Sequence, residues 1–357
     1  MRHLVVMAAG TGGHIIPGLA VAGEMQRRGW SVSWLGTRTG MEIRLVPAAG
    51  IALDSIGFSG LRGKGWLQTM TGGLRLLKAF WDCIAILRRR HADVVLGMGG
   101  YVCFPGGLMA SLLDRPLVLV NADAALLLSN RALLPLADCT AFGFPGSAAA
   151  GAKNSVVTGN PVRTEIEALP APPERFAGRS GALRLLVVGG SLGARVLNET
   201  VPAALALMER AARPIVTHQA GAAHADAVRA AYARAGVEAE VLPFIDDMAA
   251  RLGECDLMVC RAGAITVSEL CAAGVAALLV PLLARTTTHQ RANAELMARE
   301  GAGIHLAQSE LSPESLARAL AGLDRAQLAA MAVNARALAR PQAAARVADL
   351  IEGLVQP

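Results

Sequence analysis

The sequence is poor in aromatic and charged residues, which excludes several classes of protein. Phe, Trp and Tyr make up 4% of the 357 residues and Asp, Glu, Lys and Arg 17%, whereas 53% are hydrophobic. This composition is too apolar for an intrinsically disordered chain. The length is sufficient for two domains, and the Ala- and Leu-rich character favours buried parallel sheets faced by helices.

Long apolar runs and closely spaced cysteines are also missing. No window reaches the roughly 18 uninterrupted apolar residues of a membrane span, so we expect a protein that is not integral to a membrane but is able to lie on one. The six cysteines are scattered, which excludes a zinc knuckle or disulfide framework and indicates reduced cytoplasmic thiols. A net charge of +6 predicts an acidic partner: nucleic acid, anionic lipid or a phosphorylated substrate.

The strongest signal for a ligand site lies in residues 257–273. Leu257–Cys260 is an apolar run that predicts a buried strand, and a helix capped by Thr266 or Ser268 follows it. A helix that starts at the carboxyl end of a strand directs free amides and a positive dipole end toward an anionic ligand. Glu269 is placed to accept hydrogen bonds from a ribose diol, although a plain strand–turn–helix with an exposed glutamate fits the same residues.

Both halves of the chain open with an apolar strand and a glycine-rich turn. Leu4–Met7 precedes a turn that contains Thr11, and Leu185–Val188 precedes a turn that contains Ser191. This repetition predicts two doubly wound α/β domains that face each other across a ligand-binding cleft. The first turn lacks the G-x-G-x-x-G spacing of a dinucleotide fingerprint, which argues against a nicotinamide-dependent oxidoreductase. His14 either projects into the cleft or caps local backbone.

A basic glycine loop at residues 59–65 precedes a predicted helix, Trp66–Arg90. Its apolar residues have helical spacing and predict a stripe that faces the core: Trp66, Met70, Leu74, Leu77, Trp81, Ile84 and Leu87. Several Lys and Arg residues surround this stripe. Because two tryptophans lie among these cations, a second interpretation stays open, in which part of the region rests on anionic lipid headgroups.

Seven motifs, in chain order, resemble those of one family. They are Gly10–His14, Ser59–Gly65, Gly97–Tyr101, Gly159–Arg163, Gly189–Arg195, Phe244–Met248 and Thr266–Glu269. The family is MurG, the peripheral-membrane glycosyltransferases that add N-acetylglucosamine to the undecaprenyl-pyrophosphoryl-MurNAc-pentapeptide of cell-wall synthesis. The resemblance spans essentially the whole chain.

The resemblance implies a GT-B fold, in which two Rossmann-like doubly wound α/β domains face a central cleft. The first domain, residues 1–163, would face the acceptor and the membrane. The second, residues 164–340, would bind UDP-GlcNAc. Residues 341–357 would form a C-terminal helix that packs back on the first domain.

The resemblance also assigns residues to the donor. Glu269 would bind the ribose, Arg163 and the backbone of Ile245 the uracil, and Ser191 the diphosphate. The donor sugar would meet the helix start and its surroundings: Ala264, Ile265, Thr266, Val267 and Gln290, with Ser268 in the same run.

On the acceptor side, Thr11, Gly12, Gly13 and the Gly97–Tyr101 loop would cradle the pyrophosphate through backbone amides. The reaction would be a direct displacement at the anomeric carbon with inversion. His14 is the candidate base that takes the proton of the acceptor's C4 hydroxyl, or it only positions the acceptor. No Asp-x-Asp pair is present to hold a divalent cation, and we expect neither a metal nor a cofactor, because amides at glycine turns and helix ends can neutralise a diphosphate.

Some positions depart from the family pattern. The family's usual Asn contact to the sugar becomes Asp123, or is taken over by Asn121, and Ala262 replaces a serine. These departures leave a second function open, a membrane-associated UDP-sugar-binding protein without catalysis. A UDP-sugar epimerase of the same architecture is a further alternative. For the transferase we expect a peripheral location on the cytoplasmic face of the inner membrane, an anionic lipid surface and other wall-synthesis proteins as partners, and no nucleic acid.

Overall fold

The structure, a computed structural model, describes residues 1–10, 12–58, 66–146, 154–190, 192–282 and 289–355, with the side chains of residues 66–71 left out. The chain divides into two compact units. Met1–Pro161 and Gln342–Pro357 form the first, and Val162–Pro341 forms the second.

The first unit is built on a parallel sheet of seven strands in the described residues, in the order β3-β2-β1-β4-β5-β6-β7. Its strands are β1 His3–Ala8, β2 Ser31–Thr37, β3 Ala52–Ile56, β4 Val94–Gly99, β5 Leu117–Asn121, β6 Cys139–Phe142 and β7 Ser155–Val157. Its helices are α1 Gly12–Arg27, α2 Glu42–Ala48, α3 Trp66–Arg89, α4 Cys103–Leu112, α5 Leu128–Leu133 with a 3-10 turn at Leu134–Leu136, and the C-terminal α15 Ala343–Gly353.

The second unit repeats this plan with a parallel sheet of six strands in the order β10-β9-β8-β11-β12-β13. Its strands are β8 Arg184–Val188, β9 Ile215–Gln219, β10 Glu240–Leu242, β11 Leu257–Cys260, β12 Ala276–Leu279 and β13 Gly303–His305. Its helices are α6 Thr164–Glu167, α7 Pro172–Phe176, α8 Arg195–Ala206, a 3-10 turn at Arg210–Ala212, α9 Ala225–Arg234, α10 Met248–Glu254, α11 Ala264–Ala273, α12 His289–Arg299, α13 Pro313–Ala321 and α14 Arg325–Ala337.

The apolar runs form the central strands because both faces of each sheet are covered. In β1, Leu4 and Val6 enter one buried cluster, and Val5 and Met7 enter another on the opposite face. A strand buried on both faces needs a continuous apolar run rather than alternation. The predicted doubly wound α/β class is therefore confirmed. In both sheets the strand order reverses beside the first strand, between β1 and β4 and between β8 and β11, which is where ligands bind in such folds.

The predicted core-facing stripe of α3 is wrong at three positions. Leu74, Leu77 and Trp81 are 71%, 57% and 72% exposed. The buried face of α3 instead includes Ala79 and Cys83. The helix is apolar around much of its circumference, so helical spacing alone fitted either face. No described helix combines the length and the apolar character that crossing a membrane requires.

The C-terminal helix α15 packs on α1 within the first unit. Arg28, just after α1, donates to Asp349 and to Glu352, each at 2.7 Å. The indole of Trp30 also donates to Glu352, at 3.2 Å. These contacts hold the C-terminal helix against the first unit.

Candidate active site

In the second unit, an ion pair lies at the carboxyl end of the sheet. Arg163 donates from Nε and Nη2 to Oε1 of Glu269, at 3.0 and 2.8 Å. Because both bonds fall on Oε1, Arg163 does not occupy Oε2. The Glu269 side chain is 16% exposed, and burial raises the pKa of this carboxyl, an effect that Arg163 opposes. The structure thus brings together two residues that were predicted to bind the donor substrate and that are far apart in the sequence.

Glu269 lies in α11, whose first turn is half-buried at Ala264, Ile265 and Thr266. Gly263 is the N-cap residue and no side chain caps this end, so the prediction that Thr266 or Ser268 caps the helix is wrong. The first amides of a helix have no partners within it, and they make its N-terminus a site for anions.

Two other predicted site residues of α11 have buried side chains. The side chain of Val267 is fully buried and its amide donates to Gly263 at 2.9 Å, so Val267 is committed to the core and the helix. A sugar contact by Val267 is therefore a wrong prediction. Ser268 is also buried, at 7% exposure.

The glycine loop after β8 is shaped by close backbone packing. Gly190 has a φ of +90°, and its carbonyl accepts from the amide of Gly193 at 2.8 Å. Gly193 has a φ of +76°, and a Cβ there would lie 1.9 Å from the carbonyl oxygen of Ala220. Only glycine combines this conformation with this contact. Ser191, the predicted diphosphate contact, lies outside the described residues.

Ile245 and Gln290 make bonds within the protein. The amide of Ile245, after β10, donates to Gln219 at 3.2 Å. Gln290, in the first turn of α12, accepts from the amide of Leu282 at 2.9 Å. Beside Ile245, Phe244 is 53% exposed, which offers an aromatic face next to the predicted uracil contact.

In the first unit, the loops after β1 and β4 pack against each other around His14. The helix α1 begins at Gly12, so Gly12, Gly13 and His14 form its first turn rather than the predicted free turn. A Cβ at Gly99 would lie 2.5 Å from Nδ1 of His14. Gly100 has a φ of +90°, and a Cβ there would lie 2.6 Å from the carbonyl oxygen of Ala9. Thr11 lies outside the described residues.

Glu42 binds the backbone of this glycine turn, a contact that no sequence motif predicts. Its carboxylate is fully buried. It accepts from the amide and hydroxyl of Thr37, at 3.0 and 2.6 Å, and from the amide of Gly10, at 3.2 Å. An acidic residue near glycines carries no sequence signal for such a contact.

The proposed sugar contact by Asn121 is wrong. Its side chain is fully buried. Its amide donates to the carbonyls of Asp123 and Ala125, at 2.7 and 3.0 Å, and its oxygen accepts from the amide of Leu127 at 2.9 Å. Asn121 shapes the loop after β5, and the half-buried Asp123 lies in that loop.

Arg261 was not selected from the sequence but lies at the same edge as Glu269. It follows β11 and donates to the carbonyl of Val280 and to Gln308, at 3.1 and 2.7 Å. Burial lowers the pKa of this guanidinium, and no carboxylate in the described part of the chain pairs with it. It is a cation held near the predicted anion site by neutral partners.

Among the residues that the structure describes, no group of three His, Cys, Asp or Glu side chains is arranged to hold a metal ion. The predicted site residues form two sets. Of those that the structure describes, the second unit holds Arg163, Ile245, Ala264–Glu269 and Gln290, and the first unit holds Gly12, Gly13, His14, Asn121 and Asp123.

Two family models match the chain. Residues 4–142 match the glycosyltransferase family 28 N-terminal domain, and residues 184–352 match the family 28 C-terminal domain. The fold and the paired glycine-loop sites thus define a glycosyltransferase of the GT-B class.

Similar proteins identify the family more narrowly. A UDP-N-acetylglucosamine–N-acetylmuramyl-(pentapeptide) pyrophosphoryl-undecaprenol N-acetylglucosamine transferase of Methylibium petroleiphilum is 70% identical over 99% of this chain and 98% of its own. The protein of the same name from Chromobacterium violaceum is 62% identical over the same shares. The crystal structure of Acinetobacter baumannii MurG is 39% identical, with a TM-score of 0.87 over 99% of this chain and 100% of its own. The chain belongs to the MurG family.

Proposed function

We propose that the chain transfers N-acetylglucosamine from UDP-GlcNAc to the C4 hydroxyl of undecaprenyl-pyrophosphoryl-MurNAc-pentapeptide, which converts lipid I to lipid II. The observation that carries this proposal is the 70% identity, over nearly the full length, to a relative named for this transfer. The Arg163–Glu269 pair beside the start of α11 supports a nucleotide-sugar site in the second unit.

The donor would be held by its uridine and its diphosphate. The ribose diol would donate to Oε2 of Glu269, the oxygen that Arg163 leaves open. The diphosphate would lie against the amides of the glycine loop after β8 and of Ala264–Thr266, where helix dipoles stabilise negative charge without a metal. Arg261 would add a fixed positive charge near the leaving group.

The acceptor would bind in the first unit. Its pyrophosphate would meet the first-turn amides of α1 and the loop after β4, which lie side by side around His14. His14 would take the proton of the C4 hydroxyl as that oxygen attacks the anomeric carbon. The bond from that carbon to the β-phosphate oxygen breaks on the opposite face, and UDP leaves with the bonding electrons.

A transfer assay tests this function against its alternative. Purified protein, radiolabelled UDP-GlcNAc and a lipid-linked MurNAc-pentapeptide acceptor are expected to give a labelled lipid product. Binding of UDP-GlcNAc with no transfer would instead favour the sugar-binding protein that Asp123 left open. Absence of UDP binding would contradict both.

We also propose that α3 rests on the cytoplasmic face of the membrane. Leu74, Leu77 and Trp81 lie on one exposed face, because residues three to four apart are neighbours on a helix. Arg75 and Lys78 are exposed beside them. Amphipathic basic faces with leucine and tryptophan bind anionic lipid surfaces.

A double variant of this face is expected to lose vesicle binding. Leu77→Ser with Trp81→Ser removes two exposed apolar anchors, each worth about 1 kcal/mol or more when inserted. We therefore expect roughly a tenfold or larger drop in the partition onto vesicles of phosphatidylglycerol and phosphatidylcholine, measured by co-sedimentation. Leu207→Ser with Val333→Ser changes two exposed residues of the second unit as a matched control. Equal losses in both variants would contradict the assignment.

A further inference from the structure

Gln219, the last residue of β9, joins two loops that the proposed function assigns to different parts of the donor. Its Nε2 donates to the carbonyl of Gly190 at 2.9 Å, and its Oε1 accepts from the amide of Ile245 at 3.2 Å. Gly190 belongs to the loop after β8, and Ile245 follows β10. Because β9 lies between β8 and β10 in the sheet, the side chain reaches from the middle strand to the loops of both neighbours.

Both polar atoms of Gln219 are committed, and one orientation of its amide satisfies them. A backbone carbonyl only accepts and a backbone N–H only donates, so a flipped side chain would lose both bonds. The residue is 2% exposed, and water therefore has little access to replace a lost partner. Buried groups left without a partner are costly. Gln219 is not among the residues that the sequence motifs single out.

The residue that follows Gln219 supports the same loop from a second direction. Ala220 accepts from Nδ2 of Asn198 at 3.0 Å, and its amide donates to the carbonyl of Leu242 at 2.9 Å. A Cβ at Gly193 would overlap the Ala220 carbonyl, so the glycine loop lies directly on this segment. The end of β9 is thus bound both to α8, which follows β8, and to the end of β10. These bonds fix the backbone position from which the Gln219 side chain extends.

Resting on the proposed function, we infer that Gln219 is a positioning residue that holds the diphosphate loop and the uracil segment in place together. A uridine diphosphate then meets two subsites that are already formed. Its binding need not include the cost of ordering either loop, which is the general advantage of preorganisation. Gln219 itself touches neither base nor phosphate in this arrangement, since both of its polar atoms bind backbone groups.

Gln219→Met tests both ends of the contact. Methionine has a similar length but replaces neither hydrogen bond. A net factor of about five for each lost bond predicts that uridine, which uses one subsite, binds about fivefold more weakly and UDP about 25-fold more weakly. Calorimetry or NMR titration with the two ligands measures this. Equal losses for uridine and UDP, a loss for UDP alone, or no loss would overturn the inference.

Gln219→Glu separates the two ends with a side chain of nearly the same shape. Once ionised, its carboxylate still accepts from the Ile245 amide but cannot donate to Gly190. We expect uridine affinity within about twofold of wild type and UDP affinity reduced at least about tenfold. Wild-type affinity for UDP, or a tenfold loss for uridine, would overturn the inference even if the methionine variant did not fold.

Kinetics and a control distinguish positioning from general damage. Gln219→Met is expected to raise KM for UDP-GlcNAc about 25-fold with kcat within about threefold, because no bond to the reacting carbon is lost. Gln327→Ala removes a glutamine that caps α14 in the same unit and should leave both ligands unaffected. If the wild-type protein bound no UDP, the proposed function would fail first. Wild-type binding that is unchanged in Gln219→Met would overturn this inference alone.

Discussion

Replacing His14 with alanine is expected to lower kcat for glycosyl transfer by about 10²- to 10⁴-fold, the usual contribution of a positioned acid–base group. The affinity for UDP-GlcNAc should change by less than about twofold, because His14 belongs to the first unit and the residues proposed to hold the uridine and the diphosphate belong to the second. Steady-state kinetics with both substrates and calorimetry with UDP-GlcNAc measure the two effects. Unchanged turnover would contradict any role of His14 in the reaction.

A second variant reaches the same imidazole indirectly. Gly99→Ala leaves His14 in place in the sequence, but its Cβ would lie 2.5 Å from Nδ1 and its backbone has a φ of +119°. We expect a loss of kcat in the same direction, because the ring must move. His224→Ala, at an exposed histidine before α9, is the matched control and should keep full activity. A Gly99→Ala enzyme as active as the wild type would show that the ring's position is not critical.

The pH profile separates the two roles considered for His14. A general base must be neutral to accept a proton, so kcat/KM for the acceptor should fall at low pH, where the imidazole is protonated. His14→Gln can hydrogen-bond the acceptor but cannot take its proton at neutral pH. Substantial rescue by glutamine, with the low-pH fall abolished, would indicate positioning rather than proton transfer.

Much of the fold could be predicted because the strands are continuous apolar runs. The predicted strand Leu257–Cys260 coincides with β11. Helix ends were harder. Glycine disfavours helix, yet α1 starts at Gly12 and includes Gly13, so local preference does not show where this helix begins. Packing of the glycine loop against the loop after β4 outweighs that local preference.

The candidate site was less predictable because its geometry depends on contacts between distant segments. Arg163 and Glu269 are 106 positions apart, and no local pattern says that they pair. The family resemblance suggested a sugar contact by Asn121, but the structure uses its side chain for the loop after β5. Gln219 and Glu42 were overlooked instead. A polar residue in the sequence does not reveal which backbone group its side chain binds.

Glu269→Ala is expected to weaken UDP binding by about 10- to 100-fold. A hydrogen bond to a charged group contributes about 1.5–3 kcal/mol, and the variant removes the only charge that the proposal assigns to the ribose. Isothermal titration with UDP measures the change. Glu240→Gln is a matched control, because it also belongs to an Arg–Glu pair, with Arg251, but lies at the start of β10 on the other edge of the sheet. Unchanged UDP affinity in Glu269→Ala would contradict the ribose assignment.

The pKa of Glu269 gives this prediction a pH dependence of known sign. Burial raises that pKa above the ordinary glutamate value, so the carboxylate takes up a proton at a higher pH than an exposed glutamate does. Uridine affinity should therefore fall as the pH is lowered from 7 toward 5, and uridine has no group of its own that titrates in this range. Protonation also removes a buried charge, so for this group the folded state is favoured, not lost, as the pH falls through the raised pKa.

Glu269→Gln should bind uridine weakly and without this pH dependence. A wild-type affinity that stays constant over this range, in a protein shown to be folded by circular dichroism, would mean that the ribose does not depend on the ionised form of Glu269.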